Sequence, residues 1–176
     1  MNMIKNFLLF TSLLIAFTAG SSAQDLGKID PAVQTQIGAT LTAYYSLKDA
    51  MVDSKADTAN VKADELLTAL DAVDAAKMSA VQKAQWEKLS RSIRNDAKHI
   101  SENEDLAHQR EHFVKLSSNM YSLVFSFKAN ETDAYLQYCP MKKASWLSDK
   151  KEIRNPYYGK KMLDCGSVKV TLTKNK

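Results

Sequence analysis

What this chain lacks narrows its reading first. It contains no Gly-x-Ser-x-Gly element, no His-Glu-x-x-His and no paired carboxylates beside a histidine. The residue patterns for nucleophilic, zinc-hydrolytic and paired acid–base catalysis are therefore missing, and the chain is expected not to be an enzyme. Glycine and proline are sparse, at five and three residues, and there is no internal repeat or low-complexity segment. With 45% hydrophobic and 25% charged residues, the composition is that of a soluble globular protein. Its 176 residues suffice for one domain with a sizeable core. Cysteine is limited to two residues and histidine to three.

Long apolar runs are also scarce. The one run, Phe7 to Phe17, falls short of the roughly 20 residues a membrane span needs. It follows the positively charged Met1–Lys5 and precedes Ser21-Ser22-Ala23, the small residues a signal peptidase requires. The expectation is a cleaved signal peptide over residues 1–23, an exported, periplasmic mature chain from 24 to 176 and no membrane span after cleavage. No cysteine follows the apolar run closely, which argues against a lipoprotein. The segment from Cys139 to Lys176 carries ten Lys/Arg against three Asp/Glu. A basic segment suits nucleic acid or an anionic surface. Export argues against nucleic acid, and lysines scattered among structural residues read as a solvated basic face.

Helical periodicity dominates the first three quarters of the chain. Asp30-Pro31 is an N-cap followed by proline at the first helical position. Ile37, Leu41, Tyr44, Leu47 and Met51 then recur at spacings of three and four. After the polar break Val52–Asp57, Asp57 or Thr58 caps a second helix whose stripe is Ala59, Ala63, Leu66, Leu70 and Val73. Met78-Ser79 restarts the chain into a third helix with Trp86, Leu89, Ile93, Ala97 and Ile100. Ser101–Asp105 has no apolar residue and reads as a tight connection. The fourth helix carries Leu106, Phe113, Leu116, Met120, Leu123, Val124 and Phe127. The expected fold is mainly α: an antiparallel four-helix bundle over about residues 31–128. A C-terminal Cys/Met-containing loop and short strands occupy about 133–173. Tyr135–Tyr138 and Val168–Thr173 alternate like strands and are expected to pair as a short β-ribbon.

Two clusters carry metal-binding chemistry. His99 and His108 lie symmetrically about Asn103-Glu104, so an antiparallel hairpin brings them to one height, with His112 one turn deeper at i+4 from His108. Imidazole suits Cu, Zn and Ni. The competing reading is surface histidines near a polar turn. The C-terminal segment holds both cysteines, each within three residues of a methionine, as Cys139-Pro140-Met141 and Met162-Leu163-Asp164-Cys165. Thiolate and thioether select Cu(I) and related soft ions. Met120 is a weaker candidate because its helical position makes it core. In an exported chain, two cysteines also suit a disulfide. This one would enclose 25 residues and contribute roughly 3–4 kcal/mol. Trp146, Tyr157 and Tyr158 are expected to pack over the end of the bundle.

Tyr138-Cys-Pro-Met141, Trp146-Leu-Ser148, Ile153-Arg-Asn-Pro-Tyr-Tyr-Gly159, Met162-Leu-Asp-Cys-Gly166 and the upstream run Gln109–Ser117 resemble an uncharacterised bacterial domain family. That family occurs as small exported proteins and as a C-terminal appendage on periplasmic adaptor subunits of copper/silver resistance-nodulation-division efflux pumps. The resemblance spans about residues 35–170. Cys-Pro-Met followed by Met and Cys-Gly is also loosely similar to the heavy-metal-binding domains of copper ATPases, without their second Cys-Pro-x-Cys element. The resemblance implies periplasmic metal handling: copper (Cu(I)), with zinc or silver as alternatives, bound for sequestration or handover to an adaptor or efflux-pump component. Combined with the residue reading, the expected ligands are Cys139, Met141, Met162 and Cys165, with His99, His108 and His112 completing that site or forming a second. The rival expectation is a non-catalytic structural or interaction module of the cell envelope with a Cys139–Cys165 disulfide.

Overall fold

A computed structural model describes residues 26–174; the expected signal peptide, residues 1–23, lies outside the described residues. The described residues are mainly helical, with four long helices followed by a small antiparallel sheet. The helices are α1 (Pro31–Asp53), α2 (Ala56–Asp71), α3 (Ala80–Ser101) and α4 (Leu106–Phe127). The strands are β1 (Ala134–Cys139), β2 (Ala144–Ser148) and β3 (Ser167–Leu172). α1 packs on α2, α2 on α3, α3 on α4, and α4 returns against α1. Among the described residues, no helix is long and apolar enough to cross a membrane.

Local chemistry accounts for the helix boundaries. Asp30 caps α1 by accepting from Ala32 N–H at 2.8 Å, with Pro31 at the first position as the sequence indicates. The second helix departs from expectation. It starts at Ala56 after Lys55, which caps with no side-chain bond. α1 is closed by Ser54 in the left-handed region at φ 59°, so only Ser54 and Lys55 separate the two helices. α3 opens with a capping box, Ser79 Oγ accepting from Gln82 N–H and Gln82 Oε1 accepting from Ser79 N–H.

The stripes read from periodicity form the core. Ile37, Tyr44, Leu47 and Met51, then Ala63 and Leu66, Ile93 and Ile100, and Phe113, Leu116, Met120 and Phe127 are all fully buried. Met120 is thus a core residue. The fully buried residues of α2 are alanine and leucine alone.

The sheet has strand order β2-β1-β3 with both pairings antiparallel. The β1–β3 pairing is the ribbon expected from alternation. β2 is an addition: residues 144–148, read from sequence as loop, pair Ala144 with Cys139 and Ser148 with Tyr135. Its signature is masked because Trp146, Leu147 and Ser148 are all buried, which erases the period of two. β2 lies on α4 and touches α1. Trp146 meets Tyr157 edge-on at 5.8 Å, and Tyr157 in turn meets Phe113 at 6.0 Å. Trp146 and Tyr157 are therefore buried packing residues beside Phe113 of α4, while Tyr158 is half-buried.

Candidate metal centre

The connection between α3 and α4 is only four residues long, and side chains from within and outside it hold it in place. Asp105 caps α4 through Ala107 N–H at 2.9 Å, and Asn103 Oδ1 accepts from Asp105 N–H at 2.7 Å. The last carbonyls of a helix have no intrahelical partner. Here Asn60 Nδ2, from α2, is directed at the carbonyls of Ile100, Ser101 and Asn103, at 3.2, 2.7 and 3.1 Å. The fully buried Gln109 Nε2 donates to Asn103 O at 2.6 Å and to Ala56 O at 3.2 Å. α2 therefore clamps the hairpin from which the histidines project.

On this hairpin His99, His108 and His112 converge, with one ring nitrogen from each lying within 4.8 Å of the others. His99 is exposed, while His108 and His112 are partly buried. The rings of His99 and His112 stack at 4.4 Å and 10°, whereas His99 and His108 are 6.2 Å apart. His99 therefore sits closer to His112 than to the His108 partner expected at its height. Side chains on a helix lean toward its N-terminus. That direction is away from the connection on α3 and toward it on α4, so His99 and His112 lean into one another. His112 Nδ1 lies 2.9 Å from Asp96 Oδ1, whose side chain is 5% exposed.

The trio suits a metal ion by donor type and spacing. A four-coordinate centre with metal–nitrogen bonds of about 2.0–2.1 Å holds its nitrogens about 3.3 Å apart, so small ring rotations close this cup. Asp96 escaped sequence reading because an acid in a charged helix reads as solvated. A signal was present: Asp96 lies between Ile93 and Ala97, on the buried stripe, and three residues before His99.

The cysteines form a second, separate arrangement. Cys139 ends β1 and Cys165 precedes β3, which places their Sγ atoms 3.9 Å apart and unbonded. Two thiolates on one ion at about 2.3 Å would stand at that separation for a bond angle near 115°; a disulfide would close the gap to about 2.05 Å. Lys142 N–H donates to Cys139 Sγ at 3.4 Å. Burial pushes the Cys139 thiol up. Hydrogen bonds from Lys142 N–H, Asn155, Cys165 and Met141 N–H outweigh it, and its pKa falls below the usual thiol value. Cys165 moves the other way, raised by desolvation and by the neighbouring Cys139 sulfur. Asn155 Nδ2 also donates to Cys165 O at 2.7 Å, fixing the second cysteine's backbone.

The expected methionine ligands are placed differently. Met141 is 63% exposed, and its backbone N–H is directed at the sulfurs. Met162 is half-buried, and its carbonyl accepts from Cys165 N–H at 3.2 Å. Among the described residues, the histidine trio is the one group of three or more His, Cys, Asp or Glu spaced to hold an ion. The cysteines are not in it, so the residues expected from sequence separate into an imidazole cluster and a thiol pair.

The family described as "Protein of unknown function (DUF3347)" matches residues 40–132. That segment contains all three histidines, Asp96 and Asn60, and stops short of the thiol pair. No curated protein and no solved structure matches the chain.

Proposed function

The chain belongs to the DUF3347 family, and from that premise we propose that it is an exported metal-binding protein whose primary site is His99, His108 and His112. The observation that carries this reading is the convergence of three imidazole nitrogens within 4.8 Å on a clamped hairpin. Three nitrogens on fixed backbone bind a borderline transition ion such as copper or zinc without a large ordering cost. The four helices act as an antiparallel bundle that presents the site, and no catalytic step is assigned. Cys139 and Cys165 form a separate site for a softer ion, Cu(I) or silver, with Met141 and Met162 as its outer thioether ligands. In the periplasm such a protein sequesters metal or hands it to an adaptor of an efflux system, the context to which the C-terminal motifs are similar.

The second reading is a cell-envelope interaction module in which Cys139 and Cys165 are bridged. The 3.9 Å sulfur separation favours it, since little movement closes the bond.

Titration of the mature protein with Cu(I) and with Cu(II), against competing chromogenic chelators, tests these readings. The same titrations on Cys139→Ser/Cys165→Ser and on His108→Ala/His112→Ala assign the sites. The metal reading expects wild type to withdraw copper from the chelator, the histidine variant to lose Cu(II) and the cysteine variant to lose Cu(I). Wild type that withdraws neither ion, with both thiols consumed in a disulfide, leaves the interaction module standing.

A further inference from the structure

We propose that Asp96 makes the histidine trio a site for a divalent cation in preference to a monovalent one, by holding His112 with its Nδ1 hydrogen toward the carboxylate and its Nε2 lone pair toward the cup. This rests on the reading of His99, His108 and His112 as the metal centre.

An ionised carboxylate only accepts hydrogen bonds, so the 2.9 Å contact assigns the ring hydrogen of neutral His112 to Nδ1. The nitrogen left as ligand is Nε2. Asp96 is suited to this role because it cannot turn away. Its side chain is 5% exposed, and it projects from the buried face of α3 beside Ile93 and Ala97. A buried carboxylate without a partner is costly, and the contact shown for Asp96 is with His112. A carboxylate behind a ligating imidazole fixes ring orientation and raises ligand basicity, and its loss typically lowers metal affinity by about 10–100-fold.

The charge of Asp96 adds selectivity. It acts on the bound ion through one imidazole, in a partly buried site where screening is weak. Coulomb energy scales with ionic charge, so a dication gains about twice what a monocation gains at the same place. Imidazole alone does not discriminate strongly between these classes. The pair of clusters then divides labour: a divalent ion at the trio and a monovalent soft ion at the thiols.

The test uses the mature chain with Cys139→Ser/Cys165→Ser and Met141→Leu/Met162→Leu, which removes the soft sulfur ligands, so that Ag(I) reports on the histidines. Affinities for Ni(II), Zn(II) and Ag(I) are measured by competition for this protein, for the same protein with Asp96→Asn, and for one with His99→Ala/His108→Ala/His112→Ala. Long-range proton–nitrogen correlation spectra of the metal-free protein report which His112 nitrogen carries the hydrogen. The expected result is Nδ1–H at His112, and Asp96→Asn lowering the divalent affinities about 10–100-fold. Ag(I) should fall only by the square root of that factor, about 3–10-fold. Equal losses for all three ions, unchanged affinities, or Nε2–H at His112 overturn the role of Asp96 while leaving the trio as a metal site. The spectrum needs no variant, so a misfolded Asp96→Asn protein does not protect the proposal. If the parent protein binds no ion more tightly than the triple-histidine variant, the metal centre itself is refuted, and the role of Asp96 falls with it.

Discussion

Cys139 Sγ receives the Lys142 N–H at 3.4 Å and faces Cys165 Sγ at 3.9 Å, so the two sulfurs stand in unequal surroundings. The reduced pair is therefore expected to lose its protons in two separated steps, below and above the ordinary thiol range. The lowered Cys139 contributes stability above the unfolded-state thiol pKa, lost as pH falls through its folded value. The raised Cys165 contributes stability below that pKa, lost as pH rises through its folded value. Ultraviolet thiolate absorbance against pH shows both steps. In Cys139→Ser a single step nearer the ordinary range is expected; an unchanged high step would mean the sulfurs do not interact.

Oxidation should close the pair without disturbing the histidines. A bridge between residues 26 positions apart is expected to add about 3–4 kcal/mol to unfolding, and Ni(II) affinity at the trio should be unchanged. Chemical denaturation and competition titration of the reduced and oxidised protein check both statements. A fall in Ni(II) affinity on oxidation would show that the two clusters communicate.

Tyr44 ties three elements together. Its hydroxyl lies 2.9 Å from Ser117 Oγ on α4 and accepts from Leu147 N–H of β2 at 3.1 Å, while its ring stacks on Phe113 at 5.5 Å. β2 is an edge of the sheet, and this hydroxyl takes an N–H from it. Burial raises the Tyr44 pKa far above the usual phenol value, so it remains neutral throughout the working range. Tyr44→Phe keeps the stacking and leaves a buried N–H unpaired. The expected loss is about 1–3 kcal/mol in denaturant unfolding.

Gly159 is required by its surroundings. It adopts φ +55°, and a Cβ there would stand 2.8 Å from Val52 O and 2.9 Å from Arg110 Nη2. Arg110 cannot easily yield, because it donates to Pro156 O at 2.9 Å and Met51 O at 2.8 Å. Gly159→Ala combines left-handed strain with a backbone clash and should cost more than about 2 kcal/mol. Thermal unfolding followed by circular dichroism reads the loss.

Asn60→Ala removes the donors that cover the end of α3. Carbonyls there lose a protein partner, at about 1–3 kcal/mol, and the hairpin loosens. The affinity of the trio for Ni(II) should then fall although no ligand has changed. A variant that loses stability but keeps its affinity would show that the cup does not depend on the clamp.

The helices were legible because their apolar stripes run at one period over about four turns or more and are interrupted by polar segments. Caps were legible where they follow the common pattern, as at Asp30-Pro31, and not at Lys55, where the start is imposed by the Ser54 turn. β2 was hidden because burial on both faces removes alternation. The histidine convergence followed from spacing alone, but its internal order did not, since it depends on the lean of side chains along two opposed helices. Asn60 was missed because its partners are some forty residues away and no local pattern announces such contacts, whereas Asp96 was overlooked although its place on the buried stripe of α3 marked it.

The clamp from α2 has a consequence for transplantation. The ligands sit within fourteen consecutive residues, which invites excision of the hairpin as a chelating peptide or its grafting onto another scaffold. Yet the groups that hold its turn, Asn60 Nδ2 and the Ala56 carbonyl, belong to a helix some forty residues upstream. The histidine site is contiguous in sequence but not portable, and a grafted version would need the second half of its frame to travel with it.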